Sequence, residues 1–231
     1  MPKIIVAIDG FAACGKSTLA RSLAHALGYV YIDSGAMYRA VTLYLLEQNI
    51  SFDDTARISK ALEQDIVIRF RRVGDRTHTF LNNHDVETDI RTMRVSGSVS
   101  EVAALREVRT AMVQQQQAMG TMRGMVMDGR DIGTVVFPDA ELKLFMTASV
   151  EVRVARRKAE LLAKRDEAID DDIRANLLKR DDIDTHRVVT PMHRTPDAVE
   201  LDNTSMTPEA QHALALHFAL SRIDAKARFT V

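Results

Sequence analysis

What the sequence lacks narrows its class before any motif is read. Cys14 is the sole cysteine, so no disulfide can form within the chain, in keeping with a reducing cytosol. There is no tryptophan, aromatic residues amount to 5%, and the formal net charge is −1. A nucleic-acid surface built on a basic field and aromatic stacking lacks both ingredients. No apolar run approaches the roughly 20 residues that span a bilayer. The run Ile4 to Ile8, behind Met1-Pro2-Lys3, is too short for a signal-peptide core. A GTP-dependent switch needs a guanine-reading Asn-Lys-x-Asp segment, and none occurs. No internal repeat is visible. The expectation is a cytoplasmic chain that binds neither membrane nor nucleic acid.

What is present is an ordinary globular composition, with 231 residues, 46% apolar and 27% charged. Ile4 to Ile8 reads as a strand buried on both faces. A glycine-bearing loop follows, then a helix with Leu19, Leu23 and Leu27 at helical spacing and Gly28 as its stop. Tyr29 to Ile32 reads as a second strand and Gly35 to Glu47 as a second helix. This alternation predicts a parallel α/β sheet flanked by helices. Ile66, Ile68 and Phe70 then alternate with polar residues, with turn signals at Gly74-Asp75 and Asn82-Asn83. That is a small antiparallel insert, open to reading as a decorative hairpin or as a flap that grips substrate.

From about Arg91 to Met119 the pattern is helical, interrupted near Gly97, with Ser98-x-x-Glu101 as a capping box. Strands are expected at Met125 to Met127, at Leu142 to Met146 and at Ala198 to Leu201. Charged helices are expected at Val150 to Lys164 and from Asp170, and a last helix opens at Thr207-Pro208-Glu209.

Gly10-Phe11-Ala12-Ala13-Cys14-Gly15-Lys16-Ser17 satisfies G-x-x-x-x-G-K-[ST], with the strand before and the helix after that the motif requires. Glycines let such a loop turn its N–H groups inward onto phosphate oxygens at a helix N-terminus. The expected ATP-binding stretch is therefore Gly10 to Thr18. Lys16 brings a point charge to the β- and γ-phosphates, and Ser17 brings a hydroxyl to Mg²⁺. Asp128, ending an apolar strand, suits a carboxylate near that magnesium, or else an ordinary turn cap. Arg153, Arg156 and Arg157 fall at i, i+3 and i+4, so one helix face can present several guanidinium groups to a phosphoryl group in flight. The other reading is a salt-bridged surface, since ten basic and ten acidic residues lie between Glu151 and Arg187. Cys14 reads as a small loop filler. The seven histidines are scattered without metal-ligand spacing, and the methionines from Met93 to Met127 read as core.

Several segments together resemble the bacterial cytidylate kinases, a branch of the nucleoside monophosphate kinases. They are Ile8-Asp9-Gly10 with its loop, Asp33-Ser34-Gly35-Ala36-Met37-Tyr38-Arg39, Ile90-Arg91-Thr92, the run Asp128 to Pro138, and Arg180-Asp181-Asp182-Ile183-Asp184-Thr185-His186-Arg187. The likeness covers nearly the whole chain. It implies a single P-loop kinase domain, with its core at about 1–60, 93–155 and 175–231. A monophosphate-binding insert is implied at 61–92 and a helical lid at 156–174, which favours the flap reading of the hairpin.

It further implies ATP and CMP or dCMP as substrates, Mg²⁺ as cofactor and a monomer. Lys16, Arg130, Arg153 and Arg157 are the implied catalytic residues, and Ser17 and Asp128 the metal-side pair. Ser34, Arg39, Ser100, Arg109, Arg130, Asp131, Arg180, Asp184 and Arg187 are the implied CMP-binding set. A kinase for UMP, AMP or a non-nucleotide alcohol is the rival reading. Cys14, where small residues are usual, and the patternless stretch Leu162 to Glu167 depart from the family.

Overall fold

The computed structural model describes residues 2–74, 76–163 and 169–228. In chain order its strands are β1 (Ile5–Gly10), β2 (Val30–Asp33), β3 (Ile68–Val73), β4 (Arg76–Leu81), β5 (His84–Asp85), β6 (Met125–Gly129), β7 (Leu142–Thr147) and β8 (Val199–Asp202). The helices are α1 (Lys16–Leu27), α2 (Ser34–Glu47), α3 (Thr55–Gln64), α4 (Met93–Ala104), α5 (Arg106–Met119), α6 (Val150–Ala163), α7 (Asp170–His186) and α8 (Pro208–Arg228). Asp75 of the expected first turn, and Lys164 to Glu167 of the expected lid, lie outside the described residues. Among the described residues no helix is long and apolar enough to cross a membrane.

The chain divides into two compact units. One comprises residues 1–32, 120–186 and 191–231; the other comprises 33–119 and 187–190. The first holds a five-stranded sheet in the order β2-β6-β1-β7-β8, with β1 parallel to β6 and β7, and β8 parallel to β7. Central β1 is buried along its whole length, which is why its sequence is a continuous apolar run rather than an alternating one. Leu19 and Leu23 of α1 and Ala215, Ala219 and Ile223 of α8 pack with Ile4, Val6, Ile8, Leu142 and Leu144 in one core. Each such leucine contributes about 2 kcal/mol by leaving water.

Gly10 ends β1 at φ 144°, and a Cβ there would lie 2.0 Å from the Met146 carbonyl oxygen of β7. Gly10→Ala is expected to destabilise the fold by about 3 kcal/mol, lowering Tm by about 10 °C in a calorimetric scan. An unchanged Tm would mean that β7 can move away without penalty.

The second unit begins at the start of α2. Met37, Val41 and Leu45 of α2, Ile58 of α3, Val95, Val99 and Val102 of α4, and Val108 and Met112 of α5 form its core, together with Ile68 and Leu81 from a three-stranded antiparallel sheet β3-β4-β5. Asn82 and Asn83 both sit at positive φ, 50° and 67°, which suits the tight β4–β5 turn that their sequence signals. This unit is larger than the 61–92 insert, because α2, α4 and α5 share its core.

Two expectations need correction here. The break in the long helical stretch falls at Leu105, which is extended at φ −66°, ψ 131°, and not at Gly97. Gly97 lies inside α4, held helical by its buried neighbours Val95 and Val99, so Ser98-x-x-Glu101 is mid-helix and does not open a helix. Helix α3, which the sequence reading passed over, is capped by Asp54, whose carboxylate accepts from the Arg57 N–H at 3.0 Å, and it is anchored by buried Ile58 and Ala61.

Candidate active site

In the first unit the loop from Gly10 to Gly15 joins β1 to α1 and is held from behind. Buried Asn203, just past β8, donates from Nδ2 to the Cys14 carbonyl at 2.7 Å. Arg156 donates to the same carbonyl at 3.3 Å and to Asn203 Oδ1 at 2.9 Å. Gly15, at φ 90° and ψ 10°, takes the left-handed turn that opens α1. Lys16 is buried, its Nζ donating to the Phe11 carbonyl at 2.6 Å and lying 3.7 Å from Cys14 Sγ. Burial pushes its ammonium below the ordinary value, and the nearby charge of Arg130 pushes the same way. Thr18, on the first turn of α1, is exposed.

Ser17 Oγ donates to Asp128 Oδ2 at 2.8 Å, and the Tyr31 hydroxyl donates to Asp128 Oδ1 at 2.9 Å. The strand-end carboxylate and the loop hydroxyl, picked out separately from sequence, thus meet. Asp9 lies near Asp128 through the sheet, in register with Gly129 of β6. Its Oδ1 accepts from the Ile132 N–H at 2.8 Å and its Oδ2 from the Gly133 N–H at 2.7 Å. Burial raises its carboxyl to about 6 against the pull of these two donors. Because the folded value lies above the ordinary 3.8, ionising Asp9 lowers stability as pH rises from 3.8 to about 6.

The three arginines of α6 separate. Arg153 is buried, paired with Asp181 of α7, donating to the Ala12 carbonyl at 3.4 Å and lying over the Phe11 ring at 5.4 Å. Asp181 in turn accepts from the Ala12 N–H at 3.2 Å. Arg156 joins Asn203 behind the loop, whereas Arg157 pairs with Glu160 of its own helix at 3.0 Å. Arg130, after β6, donates from Nε to Asp184 of α7 at 2.7 Å. Burial alone would lower the Arg130 pKa, but the Asp184 carboxylate outweighs it and holds the guanidinium above its ordinary value. Asp131 is buried, and Arg180, one helical turn before Asp184, is half-buried.

In the second unit Asp33 caps α2, accepting from the Ala36 N–H at 2.9 Å, and also receives Arg39 at 2.8 Å and Arg91 at 3.3 Å. Burial raises the Asp33 carboxyl, yet the two guanidiniums prevail and hold it below the usual carboxylate range. The Arg39 Nε is buried without a hydrogen-bond partner. Arg109 is buried, its Nε on the Thr190 hydroxyl, its Nη1 on the Ala103 carbonyl at 3.2 Å, its guanidinium 5.5 Å from the Tyr38 ring centroid. Arg187 donates to the Thr190 carbonyl at 2.8 Å, so Thr190 receives both arginines. Ser34 and Ser100 are buried as well.

Sequence reasoning gave no role to Asp9, Tyr31, Arg91 or Asn203. Asp9 and Arg91 stood inside recognised segments and were legible there. Asn203 and Tyr31 carry no local signal, since their partners lie 189 and 97 residues away.

Delivery of a buried ammonium and a carboxylate-bound hydroxyl by one strand–loop–helix junction, at the end of a parallel sheet, marks the P-loop kinases, and the chain is of that class. A family model described as cytidylate kinase matches residues 6–216. The chain belongs to the cytidylate kinase family. It is 54% identical to the cytidylate kinase of Bacteroides thetaiotaomicron over 216 residues, covering 91% of this chain and 94% of that one. The cytidylate kinase of Cytophaga hutchinsonii is 50% identical over 226 residues, 96% of each chain. A crystal structure of an uncharacterized protein from Eubacterium ventriosum covers 95% of this chain and 99% of its own, with a TM-score of 0.52 at 8% identity, a likeness of fold alone.

Proposed function

We propose that the chain transfers the γ-phosphate of ATP to CMP, with dCMP as second acceptor, yielding ADP and CDP or dCDP. The observation that carries this reading is the burial of charge at the acceptor-matching positions. Arg109, Asp131, Asp184 and Arg187 are each at most 8% exposed. Charged side chains are seldom buried unless the fold holds them, and here Asp184 is held by Arg130 while both arginines are held by Thr190, so these groups stand fixed in advance of a nucleotide. Cytosine presents an exocyclic amine beside carbonyl and ring-nitrogen acceptors, so reading it takes a carboxylate and donors together, and Asp131 with the arginines supplies both.

The roles follow from the chemistry of phosphoryl transfer. The loop N–H groups and Lys16 hold the donor phosphates. Ser17 and Asp128 offer hard oxygen atoms 2.8 Å apart, a donor set that fits Mg²⁺, which takes one or two protein oxygens and completes its shell with water and phosphate. Held by Ser17 and Asp128, a magnesium ion would supply neutralising positive charge to the donor phosphates. Arg39 clamps the acceptor phosphate, with its unpartnered Nε as a ready donor. Arg130 steadies the same phosphate, while Arg180 and Asp184 engage the sugar. Ser34, Ser100, Arg109, Asp131 and Arg187 orient the nucleoside. Arg153 and Arg157 supply charge on the donor side. The acceptor phosphate is already an anion, so alignment and charge stabilisation do the catalysis and no strong base is needed.

A coupled ADP-release assay with Mg-ATP tests the reading, offering CMP, dCMP, UMP, AMP and GMP in parallel. Turnover with CMP and dCMP at least 100-fold above AMP and GMP is expected, because a buried hydrogen-bonding site rejects a base that leaves its groups unpaired. Equal turnover with UMP would move the assignment to a broader pyrimidine kinase.

A further inference from the structure

We propose that Asp9 is a positioning residue for the acceptor, acting through the main chain of Asp131 from its place at the root of the phosphate loop. This rests on the reading of Asp131 as a nucleoside-contacting residue. Three observations support it, all within the first unit. The first is the bidentate bond. The two oxygens of Asp9 accept from the N–H groups of Ile132 and Gly133, the two residues that follow Asp131, at 2.8 and 2.7 Å.

The second is the turn that these bonds cap. Ile132–Val136 is a π-helical turn closed on the Asp131 carbonyl, which accepts from the Val135 N–H at 2.9 Å and the Val136 N–H at 3.2 Å. Wide turns of this kind are rare and recur at functional sites. The Asp131 peptide is therefore fixed on one side by its own turn and on the other by Asp9. The third is the fit around the contact. A Cβ at Gly133 would stand 3.4 Å from Asp9 Oδ2 and 3.2 Å from the Lys143 side chain, so the turn sits close against its support.

The hydrogen bonds of Asp9 run to the turn after Asp131, and the nucleotide loop has its own supports. Gly10 is registered against Met146 in the sheet, and the Cys14 carbonyl is held by Asn203 and Arg156. Loss of the Asp9 carboxylate thus releases the segment Arg130-Asp131 while the ATP side keeps its frame. An aspartate that only served the fold would behave differently. Removing a buried charge that satisfies no substrate-side element would alter stability and leave both Michaelis constants in place.

Asp9→Asn separates the two cases. Asn offers one acceptor oxygen, and its amide group faces a second donor, so one end of the turn loses its bond. The KM for CMP is expected to rise at least tenfold and the KM for ATP to stay within twofold, with Tm unchanged or higher. A parallel rise of both constants, or no change in either, overturns the proposal. Should Asp9→Asn fail to fold, Gly133→Ala crowds the same contact without touching charge, and the same split between the two constants is required of it. The wild-type protein is measured first. No turnover with CMP removes the acceptor reading and this inference together, whereas an active wild type with an unaltered CMP constant in the variant removes the inference alone.

Discussion

Lys16→Met is expected to lower kcat about 1,000-fold while leaving the protein at least as stable to heat. The lysine is buried, and its ammonium has few partners, the Phe11 carbonyl at 2.6 Å and the Cys14 sulfur at 3.7 Å. Burial and the charge of Arg130 both work against the protonated form; the carboxylates of Asp128 and Asp184 work for it. A cation kept under such conditions is held for an anion that arrives later, and under the proposed function the β- and γ-phosphates are that anion. Removing one preorganised donor aimed at developing charge lowers rates by about 100- to 1,000-fold, and here a full charge goes with it. Methionine preserves length and apolar bulk, so the core around Leu19 and Leu23 is undisturbed and the desolvation penalty disappears. Lys16→Arg is not a rescue, because a planar guanidinium is wider than an ammonium and the pocket is closed by Phe11 and Cys14. ADP release under saturating CMP, with a thermal melt of each variant, checks both halves. A loss smaller than tenfold would show that the loop N–H groups and the metal carry the charge without Lys16.

Local pattern made the frame legible, and long-range pairing hid much of the site. The run Ile4 to Ile8, the loop from Gly10 to Ser17 and the leucine spacing after it are contiguous, so β1, the loop and α1 could be read directly. The turn at Asn82-Asn83 was likewise written in its residues. The spacing of Arg153, Arg156 and Arg157 showed that they share a helix face but not what each would meet. Asp181, Asn203 and Glu160 decide that, and two of these lie on other elements. Gly97 shows the opposite failure. Its weak helix propensity pointed to a break, but packing of Val95, Val99 and Val102 keeps the helix whole and Leu105 ends it. Asp9 was visible as part of a segment. What it does is a contact across 123 residues, which no window of sequence contains.

Arg130→Met should lower kcat/KM for CMP about 1,000-fold and destabilise the fold by about 3 kcal/mol, and a second substitution tells the two losses apart. Arg130 and Asp184 form a 2.7 Å pair in which the side chains are 19% and 6% exposed. With the guanidinium gone, the nearly buried Asp184 carboxylate loses the charge that faces it at 2.7 Å, and Tm is expected to fall by about 10 °C. In the double variant Arg130→Met with Asp184→Asn the buried carboxylate charge is absent as well, so most of that stability returns. Activity is not expected to return, because under the proposed roles the acceptor phosphate still lacks its guanidinium and the sugar has lost its carboxylate. Chemical denaturation and steady-state rates on the wild type, both single variants and the double variant complete the cycle. Recovery of turnover alongside stability in the double variant would mean that Arg130 serves only to neutralise Asp184, and the phosphate contact would then have to come from Arg39. Stability recovered without turnover, together with Asp184→Asn alone keeping far more activity than the double variant, would place Arg130 on the acceptor phosphate itself, with Asp184 as the group that aims its guanidinium until the nucleotide binds.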